Sequence, residues 1–549
     1  MAYIPRRRFL KHSVAAAAGC SAPFLCRDSL FAQVSPNATA RVYVDTRRAL
    51  RPLDRNVFGS FLEHLGRAIY QGIYEPESKL SDSDGFRKDV AGEIKKLGVP
   101  LVRYPGGNFV SGYHWLDGVG PKKDRPRVVE KAWNSIETNQ FGTNEFMAWC
   151  KFVGAKPLMG LNLGTSTPEM AAALVEYCNT EKGSKWSDLR RSHGVADPYN
   201  VEYWCLGNEM DGPWQIGHMT AAEYGMKAAD AARQMHAVDS SLKLIACGSS
   251  TIFMPTYLEW DREVLEHCYG YVDGISLHRY YGNSEETGGD STAYMALNLS
   301  MDAQIAQIEA VCDYVQGRMH SPKKLWLSFD EWNVWYRQRG GDGKKQVAPH
   351  LLEEVYNLED ALLVGGLVNS LIRNSDRVRV ACLAQLVNVI APIMTNSNGL
   401  YRQAIFYPYS WALQYARGAA LNLAVESPMY EIPADERQNS SGGRGKTITG
   451  AVPYLDVSST FDKATAQYSV FLLNRDLSNA RDVELLWVDA APSRVLDAFT
   501  LTGSDLKASN GFDAPQRVAP NPFDKPTTAS NRTRLQVPAR SYTVLTFAV

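Results

Sequence analysis

The stretch "VEYWCLGNE", residues 201–209, combines a short apolar run with an acidic residue at its end. Tyr203 to Leu206 have the composition of a buried β-strand, and Gly207 ends the run. Glu209 follows two residues later. Because a lone glutamate at a strand end is usually solvated, its meaning depends on whether the same arrangement recurs along the chain.

Seven other short apolar runs occur along the chain, and longer helix-like segments separate most of them. The eight runs span residues 56–64, 99–107, 155–164, 201–209, 241–249, 272–280, 324–332 and 378–387. Helical periodicity is clear in the intervals Phe86 to Leu97, Ala221 to Val238 and Leu351 to Ile372. Repeated strand–helix units predict an α/β protein with a parallel sheet, and the count of eight favours a (β/α)8 TIM barrel over an open doubly wound sheet.

Polar and titratable residues recur at the C-terminal ends of these runs, where barrel enzymes place their chemistry. Ordinary strand ends favour Gly, Asn, Asp and Ser, so turn formation does not explain Glu, His, Tyr and Gln at this edge. The residues are Glu63, His64, Arg103, Asn108, Asn208, Glu209, His278, Tyr280, Asp330, Glu331, Gln385 and Asn388. Their recurrence favours a functional role for Glu209 over a solvated strand end.

Two glutamates on the fourth and seventh runs, Glu209 and Glu331, suit the cleavage of a glycosidic bond. One carboxylic acid protonates the leaving oxygen, and the other carboxylate attacks the anomeric carbon or activates water there. An acid that keeps its proton near neutral pH is expected to be partly desolvated or close to a second carboxylate. Purely structural roles stay open for Asp330, Asp211, His64 and His114.

Seven motifs between residues 56 and 410 resemble, in order, those of the α-L-arabinofuranosidases of glycoside hydrolase family 51. The motifs are "FGSFLEHLGRAIYQGIYEP", "VRYPGGNFVSGYHW", "AWNSIETNQFGTNEF", "YWCLGNEMDGPWQ", "SLHRYYGN", "FDEWNVWY" and "AQLVNVIAPI". The resemblance covers the whole predicted barrel. It implies a retaining, exo-acting enzyme that hydrolyses terminal non-reducing α-L-arabinofuranosyl residues of arabinan, arabinoxylan and arabino-oligosaccharides.

The resemblance also implies roles for individual residues. Glu209 would be the general acid/base and Glu331 the nucleophile, with Tyr280 hydrogen-bonded to Glu331. The arabinose pocket would be lined by Glu63, Arg103, Asn108, Trp133, Asn208, His278, Tyr280 and Gln385. Another retaining glycosidase on the same barrel, such as an endoglucanase or a β-xylosidase, is the alternative. A catalytically inactive carbohydrate-binding protein is disfavoured because both carboxylates are present.

Composition argues against several other functions. The 549 residues exceed one ordinary domain, and 58 Lys plus Arg against 59 Asp plus Glu give no excess charge for nucleic acid or an anionic membrane. The stretch "GGRGKT" is no phosphate loop, because Ser440 stands in place of the first glycine. The nine cysteines fit neither a disulfide scaffold nor a zinc site, and neither a metal nor a cofactor is expected. The resemblance implies homo-oligomers, although the sequence shows no interface signal.

The pattern of apolar and polar residues changes on both sides of the barrel, which is predicted over residues 56–410. Short alternating runs after residue 410 predict a C-terminal β-sandwich domain over residues 411–549. The segment 40–55, with "ARVYVDT" at its start, is expected to add a strand to that sandwich. Within the sandwich, residues 437–446 and 502–531 are predicted loops.

Residues 1–32 resemble a twin-arginine export signal. Arg6 and Arg7 precede Phe9, and a mildly apolar run follows. This pattern predicts a periplasmic or extracellular protein, with cleavage near Ala32 favoured over lipidation of Cys20. No other run is long and apolar enough to span a bilayer.

Overall fold

A closed parallel barrel forms the centre of the molecule. The computed structural model describes residues 38–284, 286–434 and 446–549. The barrel strands are β1 Gly59–Phe61, β2 Leu101–Tyr104, β3 Lys156–Gly160, β4 Tyr203–Leu206, β5 Lys243–Ala246, β6 Gly274–Tyr281, β7 Trp326–Val334 and β8 Val378–Leu383. β8 pairs with β1 through Leu383 and Ser60, so the sheet closes without a free edge. The predicted (β/α)8 fold is confirmed.

Helices occupy most of the connections between barrel strands. Their bounds are Lys88–Leu97, Thr143–Val153, Pro168–Asn179, Lys185–Ser192, Ala221–Val238, Glu259–Cys268, Ser291–Tyr294, Asn298–Arg318, Leu358–Arg373 and Phe406–Tyr415. The helix predicted from residue 351 begins only at Leu358, because the Asn357 side chain caps it by accepting from the Asp360 backbone N–H at 3.2 Å. None of the described helices has the length and apolarity needed to cross a membrane.

The barrel interior below the strand ends is apolar. It is filled by Phe61, Leu101, Leu158, Cys205, Ile245, Trp326, Val380, Cys382 and Ala384. A barrel packed in this way is a solid core, not a pore, so polar side chains are concentrated at the ends of the strands. The seven cysteines in the described part of the chain are all buried and unpaired, as expected for small buried hydrophobes.

Two antiparallel-rich sheets pack against each other to form the C-terminal β-sandwich. The five-stranded sheet runs Ala424–Glu426, Ala40–Val44, Arg481–Trp487, Arg532–Val537, Thr528–Ala529. The seven-stranded sheet runs Ala49–Pro52, Ala419–Leu421, Leu455–Asp462, Gln467–Asn474, Ser541–Ala548, Arg494–Thr502, Asn521–Pro522. Strand Ala40–Val44 pairs in parallel with Arg481–Trp487, so the described part of the chain begins in the sandwich. Three separate hairpins pair Val128–Glu130 with Ser135–Glu137, Ile393–Asn396 with Gly399–Arg402, and Met429–Ile432 with Gly450–Pro453.

The connection between barrel and sandwich is a helix. The boundary predicted at residues 410 and 411 falls inside Phe406–Tyr415, whose apolar sequence stays helical to its end. We propose that the barrel unit includes this helix and that the sandwich resumes at Ala419, where the next strand begins.

The predicted loop 502–531 is partly ordered by the barrel. Backbone N–H groups of Leu358 and Glu359 donate to the carbonyls of Ala508 and Leu506 at 2.9 and 3.0 Å. The loop also contains two short strands, Asn521–Pro522 and Thr528–Ala529. The other predicted loop lies outside the described residues except for its last residue, Lys446.

Candidate active site

Two glutamates meet at the C-terminal end of the barrel. Glu209 follows β4 in a tight turn, with φ of 44° at Glu209 itself. Left-handed backbone is uncommon for a residue other than glycine, and it is concentrated at functional sites. Glu331 lies inside β7 and is buried. One carboxylate oxygen of Glu209 and one of Glu331 lie within 4.8 Å of each other.

Glu331 is held by two donors from neighbouring strands. Arg103 Nη1 donates to Glu331 Oε1 at 2.5 Å, and the Tyr280 hydroxyl donates to Oε2 at 2.8 Å. Arg103 Nη2 also donates to Asn208 Oδ1 at 2.7 Å, which fixes its guanidinium on a second side. Burial lowers the pKa of Arg103, but Asp330 and Glu331 outweigh burial and raise it well above its usual range. Arg103 and Tyr280 therefore hold the two carboxyl oxygens of Glu331 in fixed positions.

Glu209 has a different environment. The Trp214 indole N–H donates to Oε2 at 2.7 Å, and His278 Nδ1 lies 2.9 Å from Oε1. Burial alone lowers the pKa of His278, but the carboxylates of Glu331, Asp330 and Glu209 raise it to about 10. His278 is therefore a cation at neutral pH, and it connects the two glutamates, with Nδ1 also 3.7 Å from Glu331 Oε2.

A third glutamate, Glu63, lies at the end of β1. Its Oε1 accepts from the Phe109 backbone N–H at 2.9 Å and from the Trp133 indole N–H at 2.8 Å. Burial raises the pKa of Glu63 to about 8, although these two donors oppose the shift. At neutral pH the carboxylic acid is therefore mostly protonated, and it can donate a hydrogen bond to a neutral ligand.

Gly107 keeps the space between these side chains open. A Cβ atom at Gly107 would lie 3.1 Å from Glu331 Oε1, 3.3 Å from Glu63 Oε2 and 3.5 Å from Asn208 Nδ2. Asn108 follows directly and is half-buried. The result is a recess bordered by carboxyl and amide groups, which are the groups that recognise the hydroxyls of a neutral sugar.

The other predicted pocket residues form a second hydrogen-bonded group around Glu63. Gln385, buried after β8, accepts from the Glu63 backbone N–H at 3.0 Å through its Oε1. All the predicted site residues except Asn108 thus make a hydrogen bond or an ion pair with another of them, within one of these two groups. They are Glu63, Arg103, Trp133, Asn208, Glu209, His278, Tyr280, Glu331 and Gln385.

Structural roles were left open for His64, Asp211 and His114, and the structure gives each of them a different environment. His64 is buried between Glu137, 2.8 Å from Nδ1, and the Tyr104 hydroxyl, 2.8 Å from Nε2, so it is a satisfied core residue. Asp211 accepts from the Ser250 backbone N–H at 3.0 Å and so ties the Glu209 turn to the loop after β5. His114 is exposed.

Sequence reasoning did not assign a role to Trp214. This side chain is 49% exposed, and its indole N–H reaches Glu209 from five residues further along the same turn. A tryptophan inside the motif that carries the candidate acid was the available signal, since exposed aromatic rings beside a carboxylate suit sugar binding.

The side chains of Glu209, His278 and Glu331 are also close enough to share a metal ion, with one ligand atom from each within 4.8 Å of the others. A metal would have to displace the proton that the surrounding carboxylates favour on His278, since only a neutral imidazole has a lone pair to offer. The absence of a functional metal stays a prediction.

Comparison with known proteins assigns the family. The model of the α-L-arabinofuranosidase 1 domain matches residues 93–294, and that of the α-L-arabinofuranosidase C-terminal domain matches residues 330–541. An intracellular exo-α-(1→5)-L-arabinofuranosidase 1 from Bacillus subtilis is 47% identical over 86% of this chain and 91% of its own. A second relative from Halalkalibacterium halodurans, named an intracellular exo-α-(1→5)-L-arabinofuranosidase, is 48% identical over 86% of this chain and 92% of its own.

Solved structures agree with these sequence relatives. A family 51 α-L-arabinofuranosidase from Bifidobacterium longum superimposes with a TM-score of 0.86 at 35% identity, covering 92% of this chain and 99% of its own. The expectation of twin-arginine export to the periplasm or the medium is wrong by this comparison, because both curated relatives are named intracellular enzymes. The residues on which that expectation depended lie outside the described part of the chain. The chain belongs to the α-L-arabinofuranosidases of glycoside hydrolase family 51 and is a glycoside hydrolase.

Proposed function

We propose that this chain is a retaining, exo-acting enzyme that releases terminal non-reducing α-L-arabinofuranosyl residues from arabinan, arabinoxylan and arabino-oligosaccharides. The observation that supports the mechanism is the separation within 4.8 Å between carboxylate oxygens of Glu209 and Glu331. Retaining glycosidases hold their two carboxyl groups about 5–5.5 Å apart, whereas inverting enzymes need about 6.5–9.5 Å to admit a water.

In the first step Glu331 attacks the anomeric carbon and forms a glycosyl ester, while Glu209 donates its proton to the departing oxygen. Arg103 and Tyr280, which donate to its two oxygens, fit the role of groups that hold Glu331 in place for the attack. In the second step Glu209 removes a proton from water, which attacks the same carbon and releases Glu331. Two inversions give a sugar of retained configuration.

The sugar would lie in the recess beside Gly107. Asn108, Asn208 and Gln385 offer amide groups to its hydroxyls, Glu63 offers a neutral carboxylic acid, and the Trp133 ring forms one side of the recess. The two curated relatives are named for the α-(1→5) linkage, so α-(1→5)-linked arabino-oligosaccharides are the first natural substrates to test.

A substrate comparison separates this function from its enzymatic rivals. We expect hydrolysis of an aryl α-L-arabinofuranoside to exceed hydrolysis of the aryl β-xyloside and of a soluble β-glucan. A preference for the β-glucan would indicate an endoglucanase, and a preference for the xyloside would indicate a β-xylosidase.

Removal of each glutamate tests the assigned roles. Glu331→Ala should lower kcat on every substrate by roughly 10⁴-fold or more, since no glycosyl ester can form. Glu209→Ala should retain the first step on a nitrophenyl arabinofuranoside, because nitrophenolate hardly needs a proton to leave. Added azide should then accelerate release and give an arabinosyl azide of retained configuration. Glu202→Ala is the matched control, because Glu202 is an exposed glutamate directly before β4.

Three results would contradict these assignments. An azide of retained configuration from the Glu331 variant would mean that the two roles are exchanged, since azide that takes the place of a missing nucleophile gives an inverted product. An inverted azide from the Glu209 variant would mean the same. Full activity of both variants on all substrates would reject this site altogether.

A further inference from the structure

Asp330, next to the candidate nucleophile on β7, contacts the same two cations as Glu331. Adjacent residues of a regular strand point to opposite faces. Here the pairing of β7 with β8 shifts register between Phe329 and Trp332, and such irregularities re-aim side chains beside active sites. As a result Asp330 and Glu331 both reach Arg103 and His278.

The two carboxylate oxygens of Asp330 are divided between the two cations. Oδ1 lies 3.2 Å from His278 Nε2, and Oδ2 lies 3.4 Å from Arg103 Nε. The Cys205 thiol donates to Oδ2 at 3.3 Å from β4. Asp330 is only 1% exposed, so it lies beneath the recess and behind the cations.

Each cation also has a nitrogen atom that faces the two glutamates. His278 presents Nδ1 to Glu209 and Glu331, and Arg103 presents Nη1 to Glu331. Asp330 therefore lies within ion-pair distance of each cation, next to a nitrogen other than the one that faces the two glutamates. We propose that Asp330 is a positioning residue that orients His278 and Arg103 against Glu209 and Glu331, an assignment that rests on the proposed catalytic roles of these glutamates.

Charge balance supports this assignment. Two buried cations facing a single ionised nucleophile would leave an excess buried positive charge, which is costly in a low dielectric. With Asp330 ionised, its charge and that of Glu331 balance those of Arg103 and His278. Arg103 holds the pKa of Asp330 below its usual range despite burial, and His278 adds to this effect.

Asp330→Asn keeps the shape of the side chain and removes its charge. We expect kcat to fall roughly ten- to hundred-fold, as for other carboxylates that orient a histidine, with KM changed less than about three-fold. The matched control is Asp261→Asn, because Asp261 is a fully buried barrel carboxylate bonded to Ser249 and not to either cation. Kinetic constants within two-fold of wild type, or losses equal to those of the control, would overturn the proposal.

Protonation of His278 gives a readout that a merely structural role would not change. In protein labelled with ¹⁵N at histidine, the signal missing from His278→Gln identifies His278. Glu209, Asp330 and Glu331 face its ring, and Arg103 lies beyond Asp330. We expect a charged imidazole at pH 8 in the wild type and an earlier loss of the proton in Asp330→Asn.

An imidazole without a proton on Nε2 in the wild type would overturn the proposal even where Asp330→Asn fails to fold, because Asp330 Oδ1 could then accept no hydrogen bond from the ring. Parallel assays of Glu331→Ala distinguish a failure of the proposed function from a failure of the positioning role alone. If that variant stays active, the proposed function fails, whatever Asp330→Asn does. If it is inactive and Asp330→Asn is normal, only the positioning role fails.

Discussion

The carboxylates of Glu209 and Glu331 approach each other within 4.8 Å across the end of the barrel, although one follows β4 and the other lies in β7. A spacing of this order is typical of retaining glycosidases, whose carboxyl groups are about 5–5.5 Å apart, and not of inverting enzymes, which use about 6.5–9.5 Å. We therefore expect the first-formed arabinose to have the α configuration of the substrate. Proton NMR of the anomeric signals within the first minutes of hydrolysis measures this, and an initial β signal would contradict the double displacement.

The pH dependence of substrate capture should reflect Glu63. Its pKa is raised to about 8, so the neutral acid predominates below pH 8 and is lost as the pH rises through that value. Since an ionised Glu63 cannot donate to a sugar hydroxyl and repels Glu331, kcat/KM should fall above pH 8 on a nitrophenyl arabinofuranoside, whose leaving group hardly needs the Glu209 proton. Glu63→Gln, which stays neutral, should have a lower maximum without this decline, whereas the exposed control Glu202→Gln should keep it. A wild-type profile that is flat to pH 9.5 would contradict the assignment.

The strands and the polar residues at their ends could be predicted because both signals are local. Tyr203–Leu206 is an apolar run closed by Gly207, and Glu209 follows within the same few residues. The same kind of pattern occurs at Glu63 and Glu331. A parallel barrel brings all C-terminal strand ends to one face, so polar residues at the ends of six of the eight runs were sufficient to indicate one site.

The direction of a side chain at a strand end could not be predicted in this way. Glu63 and His64 are neighbours at the end of one apolar run, and the sequence left a structural role open only for His64, which turns away to Glu137. Asp330 and Glu331 are also neighbours, and a local register shift turns both to the same two cations. Such differences depend on pairing with other strands, which sequence periodicity does not describe.

A buried ion network joins the barrel to the sandwich and should contribute to stability. Asp456 is 3% exposed and accepts from Arg373 at 2.7 Å and from Arg475 at 2.8 Å. Asp456→Asn would remove the ion-pair partner of the buried Arg475 and leave Arg373 with Asp302, 3.4 Å from its Nε, so we expect the free energy of unfolding to fall by about 3–5 kcal/mol. The exposed sandwich residue Asp482 is the control, and Asp482→Asn should change stability by less than about 0.5 kcal/mol.

Urea or thermal unfolding measures both variants, and a loss below about 1 kcal/mol for Asp456→Asn would contradict a stabilising role. The pH dependence has a definite sign. Burial raises the pKa of Asp456, but Arg373 and Arg475 outweigh it and hold the pKa far below its usual range. The stabilisation is therefore present above the unfolded pKa of about 3.9 and is lost as the pH falls towards the folded value.

Chelation tests the expectation that no metal takes part in the reaction. The three candidate ligands Glu209, His278 and Glu331 are joined by hydrogen bonds and charge attraction instead. We expect activity on the aryl arabinofuranoside to be unchanged after exhaustive treatment with EDTA and dialysis. A loss that a divalent ion restores, at an ion concentration that leaves an untreated sample unaffected, would show that a metal is required.

Gly107 gives the sharpest test of where the sugar binds. A methyl group there would project between Glu331, Glu63 and Asn208, at 3.1, 3.3 and 3.5 Å from their nearest atoms. Gly107→Ala should therefore exclude the sugar and lower kcat/KM by roughly a hundred-fold, equivalent to about 2.7 kcal/mol. The control Gly92→Ala lies in the helix Lys88–Leu97, where a Cβ meets nothing within 4 Å, so it should leave the kinetics unchanged and add up to about 1 kcal/mol of stability. Thermal unfolding of both variants shows whether activity is lost because the pocket is filled or because the fold is destabilised. If Gly107→Ala is folded and binds arabinose as the wild type does, the sugar does not occupy the space between the three side chains.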